Sequence, residues 1–459
     1  MKKKYLILFI ALAAALHALP AASFSDIISG AKNVSPTYQN ILITYENSLI
    51  SIRNQEAEDK IGITVNGSVN PLLDNGSEKG INASSDVSLT LPGDGKTSIT
   101  AGLNGTTYYD GSSESLTPSI GASHTFDFTG YSSSDALDIS LAQNKYSTEL
   151  TRKSAELNFE KSVISTISTV LSYEKNLGKA KSTLENQKTL MEKMDTLGTY
   201  STSSPTYISA KNTLTQAEAS YSAALTQYEN AKANFTDLTG LEWTGVEDLP
   251  DPVLDLKTYQ GGNTSVLLKS LSVSASEEEY KAKKASLEPS SLYLSGSLSG
   301  TISSSSSLTL GGTVKYTGPY WSVTATPGVT INENKTTPSL TISGSWSKVG
   351  SSSDTLLSYE NKVKSAENDY VSALSSYSEE AQSLSLRILN WESGMDSARN
   401  TLEYQKMILE NEKLMYSLGL STKTDVEKAE LEVFSAEYDL KTKTLEGLSL
   451  ERDLEIFAL

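Results

Sequence analysis

Hydrophobic residues recur along this chain with two periods, and the periods alternate in long blocks. In one block the apolar positions step alternately by three and four residues: Leu214, Ala217, Tyr221, Ala224, Tyr228, Ala231, Phe235 and Leu238. That spacing is typical of a seam between packed helices. It returns near the end of the chain at Val426, Ala429, Val433, Ala436 and Leu440. A second stripe runs beside the later seam, so we expect that helix to have a neighbour on each side. Its members are Leu431, Phe434, Tyr438, Leu445 and Leu448.

Other blocks alternate apolar and polar residues with a period of two, which predicts strands with one apolar and one polar face. These segments lie at 61–69, 87–91, 99–103 and 120–128, and again at 292–302, 308–316, 321–331 and 340–346. The polar faces are mostly Ser, Thr and Gly. The pattern fits the inside of a soluble sandwich or the wall of a membrane barrel, whose apolar residues face lipid and whose polar residues face water.

The two kinds of block occur in the same order twice, as helix, strands and long helical hairpin. Ser132–Asp135 recurs 219 residues later as Ser351–Asp354, and the Leu-Gly pair at Gly198 recurs 221 residues later at Gly419. Similar offsets in the same order predict an internal repeat. No proline lies between Pro118 and Pro205, between Pro205 and Pro250, or after Pro338. These runs fit long helices, because proline destabilises a helix interior by about 3 kcal/mol.

Composition narrows the class of partner. The formal charge of −17 argues against nucleic acid and anionic lipid headgroups, because like charges repel. Three lysines at positions 2–4, an apolar run and small residues before Phe24 predict a secretory signal peptide. The chain has no cysteine and therefore no disulfide. We expect an exported protein with no helix that anchors it in a membrane.

No group of residues points to catalysis. His17 lies in the predicted signal peptide, and His124 stands alone on an apolar strand position, where a structural role is expected. The acidic runs Glu277–Glu279 and Glu379–Glu380 are typical of solvated helix faces. The sequence therefore predicts no enzyme, no catalytic or metal site and no bound cofactor.

Taken together, these residues resemble the TolC-like outer-membrane efflux proteins, over the whole length after the signal peptide. Gly419–Val426 is similar to the signature of the family's periplasmic tip, with Asp-Val six residues after the glycine. Leu287–Leu292 resembles its helix-to-strand junction. The resemblance implies an α+β membrane protein: a duplicated helix–strands–long helical hairpin, trimeric, with an outer-membrane β-barrel continued by a periplasmic α-helical barrel.

The resemblance also implies a function. It is that of the outer-membrane channel, or exit duct, of a tripartite efflux or type I secretion system, which passes small molecules or proteins outward. The expected partners are two further copies in a homotrimer, a periplasmic adaptor, an inner-membrane transporter and outer-membrane lipid, and not nucleic acid. The residues expected to bind the adaptor at the tip are Leu197, Gly198, Thr199, Leu418, Gly419 and Leu420, and Asp425 is expected at the tunnel entrance.

Three features depart from the family pattern. The first tip carries an inserted Ser/Pro stretch without an aspartate, and Lys428 occupies a place that is often acidic. Each half also has four alternating segments where the family has two. We expect the outer segments of each half to span the membrane and the middle hairpins, 87–103 and 308–331, to project beyond it. The alternative is that all eight segments span the membrane, so that three copies form 24 strands and not 12. A surface-exposed coiled-coil adhesin with a β domain is the alternative interpretation.

The predicted division of the chain follows the two periods and the resemblance. In order it comprises a signal peptide (1–23), the N-terminal helix (24–60), barrel strands (61–130) and helical hairpin (131–249) of the first repeat, a linker (250–264), and the helix (265–288), barrel strands (289–348) and helical hairpin (349–459) of the second repeat.

Overall fold

The structure, a computed structural model, describes residues 22–58, 62–74, 77–91, 97–111, 114–197, 201–259, 263–303, 305–333, 335–346 and 352–459. Its helices are α1 (Phe24–Val34), α2 (Pro36–Glu58), α3 (Ser133–Leu197), α4 (Pro205–Thr239), α5 (Leu256–Tyr259), α6 (Thr264–Leu287), α7 (Ser352–Ser417) and α8 (Lys423–Phe457). Its strands are β1 (Ala22–Ser23), β2 (Gly62–Asp74), β3 (Ser77–Thr90), β4 (Thr97–Tyr108), β5 (Glu114–Asp127), β6 (Val246–Glu247), β7 (Ser291–Thr301), β8 (Ser307–Thr317), β9 (Trp321–Asn332) and β10 (Lys335–Trp346).

The chain divides into two compact units. We call the first the helical unit; its described residues lie within 22–46, 149–263 and 375–459. The second, the sheet unit, comprises the described residues within 47–148 and 264–374. Most of the predicted signal peptide, 1–21, lies outside the described residues.

The helical unit is organised around α3, α4 and α8. Its larger hydrophobic core joins α1, α3, α4 and α8 through Phe24, Ile27, Ala31, Phe159, Val163, Ile164, Ile167, Val170, Leu171, Ala231, Phe235, Leu445 and Leu448. A smaller core joins α7 and α8 through Leu384, Ile388, Leu450, Leu454 and Phe457. The helix α8 therefore packs against α3 on one side and α7 on the other, as its two apolar stripes predict.

Buried charges also hold α8 to its neighbours. Glu160 of α3 accepts hydrogen bonds from Lys32 and Arg452, each at 2.5 Å, and its side chain is 9% exposed. Asp453 of α8 pairs with Lys161 of α3 and with Arg387 of α7. Removing one member of such a network leaves a charge buried without its partner, which is strongly destabilising.

The sheet unit contains one antiparallel sheet of eight strands, in the spatial order β10-β9-β8-β7-β5-β4-β3-β2. The two halves of the chain meet at the β5–β7 junction, where Ile120 lies opposite Leu298. The strands β2 and β10 are the free edges of the sheet. Because all the neighbours are antiparallel and the number of strands is even, the two edges run in opposite directions.

The middle hairpins do not extend beyond the sheet, so that expectation was wrong. The strand β3 pairs with β2 from Gly62 opposite Thr90 to Asp74 opposite Ser77. Likewise β8 and β9 lie beside β7 and β10 over nearly their whole length. The sequence pattern underestimated β3 because Ser85 interrupts its apolar row between Ala83 and Val87, although backbone pairing continues through it.

One predicted helix and one strand pair also differ from the prediction. The predicted helix at 24–60 is two helices, α1 and α2, separated at Ser35. A residue that precedes a proline is disfavoured in helical geometry, and Ser35 is extended, with ψ at 124°. The Ser35 hydroxyl donates a 2.6 Å hydrogen bond to the Leu238 carbonyl at the end of α4. The short parallel pair of β1 with β6 was not foreseen.

Candidate functional site

The turn between α7 and α8 contains Leu418, Gly419 and Leu420, which the sequence placed at the partner-binding tip. Gly419 has a φ of +73°, in the left-handed region. Its N–H donates to the Tyr416 carbonyl at 3.0 Å, and the Leu420 N–H donates to the Met415 carbonyl at 2.9 Å. These two bonds form a Schellman motif, which satisfies carbonyls at the end of α7 and requires a left-handed residue after the helix.

The two leucines beside Gly419 are strongly exposed. Leu418 is 63% exposed and Leu420 is 68% exposed, and nothing lies within 4 Å of the position that a Cβ on Gly419 would occupy. In the single chain, most of the apolar surface of these two side chains therefore stays in contact with water. The turn thus presents two large apolar side chains on a backbone fixed by hydrogen bonds, which suits a contact with another protein.

Asp425, the expected tunnel-entrance residue, forms a capping box with Thr422 at the start of α8. The Thr422 hydroxyl accepts from the Asp425 N–H at 3.3 Å, while the Thr422 N–H donates to the Asp425 carboxylate at 3.1 Å. Hydrogen bonds from Thr422 hold the pKa of Asp425 below its ordinary value. The spacing Thr-x-x-Asp is the signal in the sequence that predicts this cap.

The first tip differs from the second. Leu197 is the last residue of α3, whereas Gly198 and Thr199 lie outside the described residues. The inserted stretch begins α4 with Ser204 as N-cap and Pro205 in the first turn, where a proline is tolerated. The Tyr207 hydroxyl donates to Asp195 across the turn at 3.0 Å. The Ser/Pro insertion therefore forms the N-terminal cap and the first turn of α4.

Close to the second tip, α3 and α8 border an open groove of about 660 Å³. At its end the ring of Phe434 would lie 2.7 Å from a Cβ on Gly178, so only glycine allows this approach of ring to helix. Lys175 and Asp439 pair across the same two helices at 2.6 Å. Phe434 belongs to the second apolar stripe of α8. These contacts show that the stripe packs against α3.

A half-buried polar cluster lies beside this contact, between α3, α4 and α8. Glu174 accepts a hydrogen bond from the Tyr438 hydroxyl, and its pKa is raised chiefly by burial. Burial, followed by the charge of Glu174, raises the pKa of Tyr228 to about 12. Burial raises the pKa of Tyr438 as well. The heptad spacing placed both tyrosines in apolar seams but did not indicate Glu174, because a single acid in a helical sequence carries no signal of its own.

The apolar residues of all eight strands fall on one face of the sheet, in rows across the strands. Ile63 lies opposite Leu89, which lies opposite Ile99, and the row continues into β5. In the second half, Leu298 lies opposite Leu310, which lies opposite Val329. These side chains are well exposed: Ile63 by 68%, Leu310 by 57% and Ile342 by 68%. We call this surface the apolar face and its opposite the polar face.

His124, on β5, contacts neighbouring residues of the sheet. Its Nδ1 lies 2.6 Å from the Thr97 hydroxyl, and its ring meets the ring of Phe126 edge-on, with centroids 4.3 Å apart. Within the described residues, no cluster of three or more His, Asp or Glu side chains could hold a metal ion. In the same part of the chain, no helix combines the length and the apolar character needed to cross a membrane.

Comparison with known proteins gives the fold a context. Three solved structures are similar over most of their length: the outer membrane protein VceC of Vibrio cholerae, a membrane protein of Pseudomonas aeruginosa and the CmeC outer membrane channel of Campylobacter jejuni. The identities are 14%, 13% and 12%, and the TM-scores are 0.52, 0.54 and 0.53. They cover 94%, 95% and 95% of this chain, and 94%, 93% and 85% of theirs.

At these identities the likeness concerns the fold, which is TolC-like. No curated protein sequence matches the chain. A family model described as the TP096X N-terminal domain matches residues 28–258, from α1 to α5 and just over half of the chain. By that match, the chain belongs to the TP096X N-terminal domain family.

Proposed function

We propose that this protein is the outer-membrane exit duct of a tripartite efflux or type I secretion system. In that role it passes small molecules or proteins from an inner-membrane transporter to the outside. The observation that carries the proposal is the exposed apolar face, which continues across eight strands while the other face is polar. A sheet with this division offers one surface to lipid and one to water.

The proposal includes a homotrimer with an outer-membrane β-barrel and a periplasmic helical barrel, after removal of a signal peptide at 1–23. One sheet with two free edges cannot enclose a duct by itself while both edges stay unpaired. Three copies supply the missing wall. The protein in this role has no catalytic site and needs no cofactor, because the partner transporter supplies the energy.

The tip residues Leu418, Gly419 and Leu420 bind the periplasmic adaptor in this proposal. Leu197, Gly198 and Thr199 form the corresponding contact at the first tip. Asp425 lies at the tunnel entrance, and its capping bond with Thr422 holds it at the start of α8. Support for the second tip comes from its exposed leucines and its fixed turn.

A crosslinking experiment in native membranes tests the assembly. An amine-reactive crosslinker should give a limiting band with the mass of three chains. A result that shows only single chains would overturn the homotrimer.

The tip assignment is tested by the double variant Leu418→Ser/Leu420→Ser, with Leu418→Met/Leu420→Met as the matched apolar control. We expect the serine variant to lose export and adaptor copurification, while trimer formation is unchanged. The methionine variant should retain both, since it keeps the apolar area. Equal export by the two variants would show that the tip leucines do not bind the adaptor.

A further inference from the structure

The two free edges of the sheet carry few of the features that keep edge strands from pairing. Natural proteins protect exposed edges with charged side chains, prolines, bulges or very short strands. Each edge here has one proline, Pro71 or Pro338, and the pairing of β2 with β3 shifts register between Leu72 and Leu73, near one end of the edge. The edge strands β2 and β10 have 13 and 12 residues. Neither 62–72 nor 336–346 contains a charged residue. Long uncharged edges of this kind are suited to pairing with another strand.

The backbone hydrogen bonds show which residues face each edge. Leu116 and Ile302 exchange two hydrogen bonds across the β5–β7 junction, at 3.0 and 2.8 Å, and both lie in rows of the apolar face. At the β3–β4 junction the Leu91 N–H donates to Thr97, and at the β8–β9 junction the Gly318 N–H donates to Trp321. Residues in apolar rows therefore make their bonds at every second junction.

The same alternation applies to the outermost junctions of the sheet. Residues of the apolar rows form non-hydrogen-bonded pairs at the β2–β3 and β9–β10 junctions, so their N–H and C=O groups point away from the sheet. On β2 these residues are Ile63, Val65, Gly67 and Val69, and on β10 they are Leu340, Ile342, Gly344 and Trp346. Both edges thus present unpaired backbone groups from residues on the same face.

The prolines of the sheet agree with this assignment. Pro118 and Pro327 lie in apolar rows of inner strands, and pairing lapses beside each of them, towards β7 and β8 respectively. Pro71 and Pro338 lie in apolar rows of the edge strands, where pairing with the inner neighbour continues through them, opposite Ile81 and Val329. Their missing N–H groups therefore face the free edges, the place where a strand tolerates proline.

We propose that β10 of one copy pairs with β2 of a second copy, antiparallel, with Leu340 opposite Val69 and Ser343 opposite Asn66. This register keeps apolar residues beside apolar ones. It also places Pro338 opposite Pro71, so that the two residues without a backbone N–H lie opposite each other. All twelve residues of β10 then lie opposite residues of β2. This contact joins two different surfaces of each copy, head to tail, and such a contact forms a closed ring when the rotation between copies closes.

The pairing determines the size of the barrel. With the three copies of the proposed function, on which this count rests, the wall has 24 strands, eight from each chain. Strands about 4.8 Å apart and tilted by about 40° give a backbone diameter of roughly 45–50 Å. The polar face, rich in Ser, Thr and Asn, lines the interior, so the inference is a wide, water-filled and largely uncharged opening.

Disulfide crosslinking tests the register directly, because the natural chain has no cysteine. The variant Asn66→Cys/Ser343→Cys places both thiols on the polar face, opposite each other, where Cβ atoms are about 4.5–5.5 Å apart. Under mild oxidation in native membranes we expect linked dimers and a linked trimer without reductant, and single chains with it. The matched control, Asn66→Cys/Gly344→Cys, places the thiols on opposite faces and should stay unlinked.

The possible results test the pairing of β10 with β2 separately from the exit-duct function. A linked single chain that migrates faster would show that the sheet closes on itself, and would overturn the pairing between copies. A trimer captured by the amine-reactive crosslinker but no disulfide in the test variant would overturn the proposed register and leave the exit-duct function standing. Disulfide-linked trimers that fail to export would support the pairing and argue against the duct.

Discussion

Gly419 combines an open environment with a backbone that few other residues adopt. Replacing it with valine should destabilise the turn by about 1–2 kcal/mol, because a β-branched residue is strained at a φ of +73°. No steric clash contributes, since nothing lies near the new Cβ. We expect Gly419→Val to reduce export and to leave the trimer intact, as measured by substrate efflux and crosslinking.

Gly419→Asn is the control for that experiment, because asparagine tolerates the left-handed region better than other residues with a side chain. Its export should lie between those of the wild type and the valine variant. Full export by Gly419→Val would mean that the turn geometry does not matter for function.

Glu174 illustrates how burial sets the pH dependence of a single group. Its pKa in the folded protein is raised, chiefly by burial, so the folded state holds its proton more tightly than the unfolded state. The stability that this proton contributes is present below the pKa of the unfolded chain and is lost as the pH rises through the folded pKa. Glu174→Gln should therefore raise the free energy of unfolding at pH 7 and change it less at pH 4.

Chemical unfolding of the detergent-solubilised trimer at the two pH values measures this difference. Glu185→Gln on the same helix is the control, because Glu185 is exposed. An equal effect of the two variants at pH 7 would contradict the role assigned to burial.

At the scale of elements, the contact between α7 and α8 depends on one glycine. A Cβ on Gly447 would lie 2.6 Å from both Pro252 and the ring of Trp391, whose Nε1 donates to the Lys443 carbonyl at 2.8 Å. Gly447→Ala should destabilise the helical unit by about 1–3 kcal/mol, because the ring must move and this hydrogen bond weakens. Thermal unfolding followed by circular dichroism measures the change.

Gly394, on α7, provides a matched control in the same helix pair. A Cβ there would contact only the flexible Lys443 side chain, at 3.5 Å. Gly394→Ala should be neutral or should stabilise by up to about 1 kcal/mol, since alanine favours a helix. Comparable losses in both variants would show that general helix perturbation, and not the tryptophan contact, is responsible.

The sequence predicted the helical elements better than their contacts. Heptad spacing located the seams at Ala217, Ala224 and Ala231, all of which are buried. It also predicted two neighbours for α8, because two stripes need two partners. It could not show that Glu160, Lys32 and Arg452 meet. These charges are far apart in the chain, and only tertiary packing brings them together.

At the scale of the whole molecule, the TolC-like fold was implied by the resemblance to that family, and the order of elements followed from the alternation of the two periods. The arrangement of the strands did not, because alternation gives each strand its two faces but not its neighbours. The short segment at 87–91, the tight turn expected at 92–95 and Pro327 suggested separate surface hairpins. In the structure Pro327 interrupts pairing on one side only, so the sheet continues through it.

Labelling on the two faces tests whether the middle strands lie in the membrane. We expect single cysteines at Val87 and Leu310, on the apolar face, to resist a water-soluble thiol reagent in whole cells and to react in detergent. The controls Ser88→Cys and Thr309→Cys, one residue along on the polar face, should react through the water-filled interior. Ready labelling at all four positions would place the middle hairpins outside the bilayer.

The outward-facing backbone groups of β2 and β10 have a consequence for biogenesis. Hydrocarbon offers no hydrogen bonds, so each unpaired N–H or C=O in it costs several kcal/mol. A single sheet with both edges open would carry about sixteen such groups into lipid, two from each of the eight outward-facing residues. If the copies pair as proposed, insertion and assembly are one event, and the yield in the membrane should depend steeply on how many copies arrive together.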